Sequence, residues 1–299
     1  MSDQLVKALA LDGKVRIYAI TTTDLTELAR QKHDMWATST AALGRTMAAA
    51  LMMAGNLKSE KEKYQLLING GGQIGTVLVE AKGNGDVRGF VGDSHVYMSY
   101  NDTNKLAVGA AVGKDGYLKV TRDLGRNDVE DSKVSGTVEL ISGEIAEDVA
   151  YYFAQSEQTP SLVSLGVLVD TDNSVLAAGG LIIQMMPDAS EEDITYVEEH
   201  TKDLQPVSSL INSGKTAKDL ITDIFSDAKI LTTSPVQFKC DCSELRFKGA
   251  LTTLAESELQ AMIDEDDGCE CRCEFCGSTY QFSASDLQFI IDFKRSCGR

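Results

Sequence analysis

Cys240 and Cys242 form a C-x-C pair, and Cys273 and Cys276 form a C-x-x-C pair further along the chain. Two short cysteine turns of this kind deliver four soft thiolates, the donor set Zn²⁺ takes in a tetrahedron. A thiolate is also the form of cysteine that oxidants attack, so one site can hold metal and register redox state. Cys269 and Cys271 extend the second pair into a C-x-C-x-C run and could compete as ligands or bonding partners. Cys273 and Cys276 are preferred because Glu274 and Phe275 followed by Gly277 have the outline of a zinc knuckle, whereas a C-x-C there lacks the glycine that frees the backbone to turn. Cys297, near the last residue, reads as a bystander.

Other chemistry finds little support. The run Gly70, Gly71, Gly72 with Gly75 lacks the G-x-G-x-x-G spacing and the strand-to-helix setting of a nucleotide loop, and no G-x-x-x-x-G-K-[ST] occurs. The three histidines, His33, His95 and His200, lie far apart in sequence, and no G-x-S-x-G elbow is present. A thiol oxidoreductase would set its C-x-x-C in a thioredoxin-like βαβ unit, which the residues around Cys273 do not suggest. The expectation is a protein that is not an enzyme.

The elements that must position the thiols follow from periodicity. Residues 1–186 read as one mixed α and β domain. Val15 to Thr21 is apolar and β-prone, and Thr38 or Ser39 is placed to cap a helix with Leu43, Met47, Leu51 and Ala54 on one face. Strands are expected at Tyr64 to Asn69, Gly75 to Glu80, Val87 to Gly92 and Gly116 to Thr121, with a second helix over Gly143 to Ser156. Pro187 closes this domain. Residues 187–235 read as a linker of short acidic helices: Ser190 with Asp193 caps one carrying Ile194, Val197 and Leu204, and Thr216 with Asp219 caps another carrying Leu220, Ile221, Ile224 and Phe225. Helices this short are marginal unless their apolar stripe is buried, so the linker is expected to dock on the first domain and to be releasable.

Residues 236–299 form a third unit. A helix with Leu245, Phe247, Leu251 and Leu254 follows the first cysteine pair, Ser257 and Gln260 suggest a capping box for another, and Ser283 with Asp286 opens a last one with Leu287, Ile290 and Ile291. Its core is thin, so metal binding worth about 10–16 kcal/mol in small zinc modules decides whether it folds.

Composition narrows the partners. The chain has 299 residues, 43% of them hydrophobic, with a formal net charge of −17 from 45 acids and 28 bases. That balance disfavours nucleic acid, whose phosphates call for basic surface. No run is long enough to span a bilayer and the start lacks a signal-peptide core, so membrane partners are not expected and the cytosol is the default compartment. Seven cysteines in a reducing compartment favour free thiols or metal ligands.

Taken together, these residues resemble a known family, the redox-regulated holdase chaperones called 33 kDa heat-shock proteins, found in bacterial cytosol. The resemblance covers essentially the whole chain. It rests on the spacing of the four cysteines, on LGRTMAAALMMAG from Leu43 to Gly55, on the GGGQIG loop, on SGEIAEDVAYYFAQSEQTPS ending at Ser161 and on AAGGLIIQMMP ending at Pro187. It implies an α+β protein: an N-terminal mixed α/β domain with an antiparallel-rich sheet, a metastable helical linker and a small C-terminal zinc domain holding one Zn²⁺ per chain through Cys240, Cys242, Cys273 and Cys276. It further implies a switch. Reduced and zinc-bound, the chaperone is inactive; oxidation joins Cys240 to Cys242 and Cys273 to Cys276, zinc leaves, the small domain and linker unfold, and unfolding client proteins bind without ATP. Family members dimerise on activation, so a homodimer is expected. Two features depart from the pattern: the additional Cys269 and Cys271, and Gln73, where the family often has proline. A different class of function, a zinc-stabilised scaffold or regulatory adaptor for one specific protein partner, stands as the alternative.

Overall fold

The computed structural model describes residues 2–100, 105–125 and 132–297, the side chain of Cys297 lying outside the described residues. In chain order the elements of the first part are β1 (Gln4–Ala10), β2 (Val15–Thr21), α1 (Thr23–His33), α2 (Ala37–Ala54), β3 (Lys63–Asn69), β4 (Thr76–Lys82), β5 (Asp86–Val91), α3 (Val108–Val112), β6 (Tyr117–Asp123), β7 (Lys133–Glu139), α4 (Ala146–Ser156), β8 (Ser161–Val169) and β9 (Val175–Met185). They are followed by α5 (Glu191–Thr201), α6 (Val207–Asn212), α7 (Ala217–Thr222), β10 (Lys229–Pro235) and β11 (Gln237–Phe238). The last elements are α8 (Glu244–Leu251), α9 (Glu256–Asp266), β12 (Gly268–Arg272), β13 (Thr279–Ser283) and α10 (Ala284–Cys297). The chain divides into two compact units, Met1–Lys239 and Cys240–Arg299. The α+β class with antiparallel-rich sheets is as expected.

The first unit is built on two sheets. One runs β10-β1-β2-β9-β8 and is antiparallel throughout; the other runs β11-β5-β4-β3-β6-β7, antiparallel except where β11 joins β5. Helix α2 packs against strands of both. Its sequence, rich in alanine and methionine, has no polar face, and every residue except Arg45 is buried, as a helix apolar all round must be. Gly44 permits the close approach: a Cβ there would lie 2.7 Å from Thr26 Cγ2 and 2.8 Å from Val167 Cγ2.

Several expectations shift. Thr38 and Ser39 do not cap α2, which starts after Trp36. Both are buried inside it, and their hydroxyls donate instead to the carbonyls of Met98 (3.1 Å) and Asp93 (2.8 Å). A tertiary partner has taken the hydroxyl a cap would have used. Helix α4 starts at Ala146 rather than Gly143, because the Asp148 carboxylate accepts the backbone N–H groups of Ile141 (2.7 Å), Ser142 (3.0 Å) and Ile145 (2.9 Å) and holds that stretch in a loop. The glycine run serves close packing: a Cβ on Gly70 would meet Gly113 O at 2.2 Å, and one on Gly72 would meet Ala111 O at 2.3 Å.

The segment 187–235 belongs to the first unit. Both expected capping boxes form: Ser190 Oγ accepts from Asp193 N (3.3 Å) while Asp193 accepts from Ser190 N (2.8 Å), and Thr216 with Asp219 repeats the arrangement at 3.2 and 2.8 Å. The stretch is not helical to its end, because residues 229–235 form β10 on the edge of the first sheet, paired to β1. Val197, Val207, Leu220, Ile221 and Phe225 join Val6, Ala8, Ile17, Ala19, Leu181 and Ile183 in one buried cluster, so α5 to α7 cover one face of β1, β2 and β9. Alternation along β2 sends Val15, Ile17 and Ala19 to this face.

The second unit has a small core of Leu251, Leu259, Phe282, Leu287, Ile290 and Ile291 under α8, α9, α10 and the β12–β13 hairpin. Ser243 Oγ caps α8 at Arg246 N (3.3 Å), and Ser283 with Asp286 caps α10 (3.3 and 3.1 Å) as expected. Helix α9 instead starts after Ala255, whose N–H is accepted by Glu258 (2.8 Å), so Ser257 is not its cap.

Candidate metal centre

Cys240 and Cys242 precede α8, and Cys273 and Cys276 occupy the turn between β12 and β13. That turn is held by three backbone bonds: Cys273 N to Ser278 O (2.8 Å), Gly277 N to Cys273 O (2.8 Å) and Cys276 N to Cys273 O (3.3 Å). Gly277 sits at φ +70°, where a residue without Cβ is favoured. The knuckle anticipated from Glu274 to Gly277 is therefore present.

The fold gathers all four sulfurs. Their Sγ atoms lie within 4.8 Å of one another, with Cys240 to Cys273 at 3.8 Å and Cys242 to Cys276 at 3.3 Å. A tetrahedral zinc with Zn–S near 2.3 Å has an S–S edge of about 3.8 Å, so the four donors fit such an ion. Cys273 and Cys276 are buried, Cys240 and Cys242 half-buried. Burial and the neighbouring thiols push Cys273 up to about 12 and raise Cys242. Cys276 comes down to about 7 against the pull of burial, through bonds from Ser278 and the adjacent thiols. Four crowded thiols resist ionising together, and a bound cation supplies the charge that lets them do so. The cluster could hold a metal ion.

Two hydroxyls complete the surroundings. The Tyr280 hydroxyl, on β13, donates to Cys242 Sγ at 3.2 Å, and Ser278 Oγ lies 3.3 Å from Cys276 Sγ. Neither was singled out in the sequence; the available signal was an S-x-Y immediately after the knuckle glycine. The Tyr280 ring is fixed against Phe247, centroids 5.0 Å apart.

Cys269 and Cys271 lie outside the four-sulfur group. Half-buried on β12, opposite Phe282 and Tyr280, they pack against the core of the second unit. The histidines do not converge: His33 meets the edge of Phe238, His95 pairs with Asp34 at 3.2 Å, and His200 stacks on Tyr196. Among the described residues, no helix is long and apolar enough to cross a membrane.

Comparison with known proteins agrees with this architecture. The family model described as Hsp33 protein matches residues 3–283. A 33 kDa chaperonin of Staphylococcus carnosus is 46% identical over 292 residues, covering 97% of this chain and 98% of that protein. One from Bacillus subtilis is 43% identical over 291 residues, covering 97% and 98%. The crystal structure of the 33 kDa chaperonin (heat shock protein 33 homolog) of Thermotoga maritima superposes with a TM-score of 0.91 at 34% identity, covering 99% of this chain and 100% of that one.

Proposed function

The chain belongs to the Hsp33 family, and from that premise we propose that it is a redox-regulated, ATP-independent holdase of the cytosol, inactive while reduced and zinc-bound. The observation that carries this reading is the convergence of Cys240, Cys242, Cys273 and Cys276 within 4.8 Å. Bound Zn²⁺ would keep these thiols deprotonated at neutral pH while damping their nucleophilicity, so that strong oxidants succeed where mild ones fail.

In this account peroxide oxidises each motif to a disulfide, Cys240 to Cys242 and Cys273 to Cys276, with one peroxide reduced to two waters per bond. The sulfurs stand apart as separate donors, with contacts of 3.8 and 3.3 Å running between the loops, so closing an S–S bond of about 2.05 Å within each motif calls for local rearrangement. A site whose donors are oxidised no longer retains its ion, and the six-residue buried core of the second unit is too small to stay folded alone.

Residues 187–235 act in this reading as a metastable linker between an N-terminal domain, 1–186, and the switch domain, 236–299. Support comes from the cluster that α5 to α7 share with β1, β2 and β9: the helices are short, and lifting them bares Val6, Ala8, Ile17, Ala19, Leu181 and Ile183. Unfolding client proteins would bind this apolar surface, and the active form would be a homodimer. No catalytic step is assigned.

The test is suppression of a model client's thermal aggregation, without ATP, by reduced protein and by protein treated with peroxide at raised temperature. Activity only after treatment is expected. Equal activity in both states would refute redox control, and activity in neither would leave a zinc-stabilised adaptor as the better description.

A further inference from the structure

The Cys269 and Cys271 thiols have no place in the four-sulfur group, yet the fold sets them together. They alternate on β12 with the exposed Glu270 and Arg272, so both face the same side, toward the core of the second unit. Their strand is paired along its whole length with β13, Cys269 opposite Phe282 and Cys271 opposite Tyr280.

We propose that Cys269 and Cys271 are a third redox pair, a latch that closes only after the hairpin has opened. In an extended strand, residues two apart have Cα atoms about 6.6 Å apart. Their Cβ bonds point the same way, so the Cβ atoms are nearly as far apart, whereas a disulfide holds them within about 3.5–4.5 Å. Joining the two sulfurs therefore requires the backbone between them to buckle, which breaks the pairing to β13. While the hairpin is intact the pair is protected by its own secondary structure. Once it opens, the two thiols are close in sequence and free to approach. This step rests on the reading above, in which oxidation of the metal-site thiols unfolds the second unit.

The chemistry balances with peroxide as oxidant. One thiolate attacks the O–O bond to give a sulfenic acid and water; the other displaces the second oxygen as water and forms the S–S bond. Closed, the latch prevents β12 from extending again, and Cys273 follows that strand directly. Return to the metal-bound state then requires reduction of this third bond as well as the other two.

Trypsin separates the three pairs. Cleavage after Lys239, Arg246, Lys248 and Arg272 leaves Cys240 with Cys242, Cys269 with Cys271, and Cys273 with Cys276 on different peptides. After peroxide at raised temperature and alkylation of the remaining thiols, the expected result is three peptides each lighter by two hydrogens and unalkylated, with one thiol of the seven left. Peptide 249–272 alkylated at both cysteines while the other two carry disulfides would overturn the latch and leave the redox switch standing. A bond joining Cys271 to Cys273 would also overturn it. No disulfide in any of the three would overturn both readings together. A C269A/C271A variant that binds one zinc per chain should, when reductant and zinc are added to the oxidised protein, recover zinc several-fold faster than the parent protein; equal rates would contradict the latch.

Discussion

The Tyr280 hydroxyl donates to the Cys242 sulfur across 3.2 Å, joining the β12–β13 hairpin to the first cysteine pair through a side chain that is not itself a ligand. A hydrogen bond to a thiolate spreads its charge and fixes its direction, so Tyr280 is placed to act as a positioning residue for the proposed metal site.

Tyr280→Phe keeps the ring against Phe247 and removes only the donor. Outer-shell losses of this kind typically cost about 10–100-fold in metal affinity. The variant should lose zinc to a competing chelator correspondingly more readily, and its Co²⁺ form should show a shifted sulfur-to-metal charge-transfer band. Unchanged affinity and an unchanged band would show that the hydroxyl has no role at the metal.

Metal removal should unfold the second unit selectively. Its core is six buried side chains, and metal binding in small zinc modules is worth about 10–16 kcal/mol. Circular dichroism of chelator-treated, reduced protein should show loss of the helical signal of α8, α9 and α10, with the first unit still unfolding cooperatively. Retention of all helix without zinc would contradict the dependence.

Phe225 is fully buried where residues just beyond α7 meet the first sheet. Phe225→Ala should cost about 3–5 kcal/mol. Hydrogen exchange across 190–228 should accelerate, and holdase activity should appear at a lower temperature in the oxidised protein. Full protection of this segment in the active, oxidised wild type would count against its release.

Asp3 contributes a pH dependence to the first unit. Burial raises it to about 6, although its carboxylate accepts from Leu25 N at 2.7 Å. The folded state then holds its proton between pH about 4 and 6 while the unfolded chain has released it, so Asp3's contribution falls as pH rises through this window. The full penalty, about 3 kcal/mol, is reached above pH 6. Asp3→Asn should remove that slope and stabilise the first unit at neutral pH, as denaturant midpoints between pH 4 and 7 would reveal. An identical slope in the variant would refute the assignment.

What the sequence disclosed depended on how local the cause was. The cysteine spacing, the Glu274 to Gly277 knuckle and the caps at Ser190, Thr216 and Ser283 are set by residues within a few positions of one another, and all appear in the fold. Thr38 and Ser39 misled because their hydroxyls bind carbonyls of Asp93 and Met98, partners no local pattern reveals. The β10 strand was hidden for the same reason: pairing with β1 across the length of the first unit, not the propensity of residues 229–235, makes it a strand. Tyr280 and Ser278 read as ordinary strand and turn residues until the hairpin sets them beside sulfur.

Metal loss and chaperone action are expected to be coupled. Zinc release and suppression of client aggregation should be followed together over time in one sample exposed to peroxide at raised temperature. Release of one zinc per chain is expected, with activity rising in step or shortly after. Activity appearing while zinc is retained, or complete zinc loss with no gain of activity, would contradict this coupling.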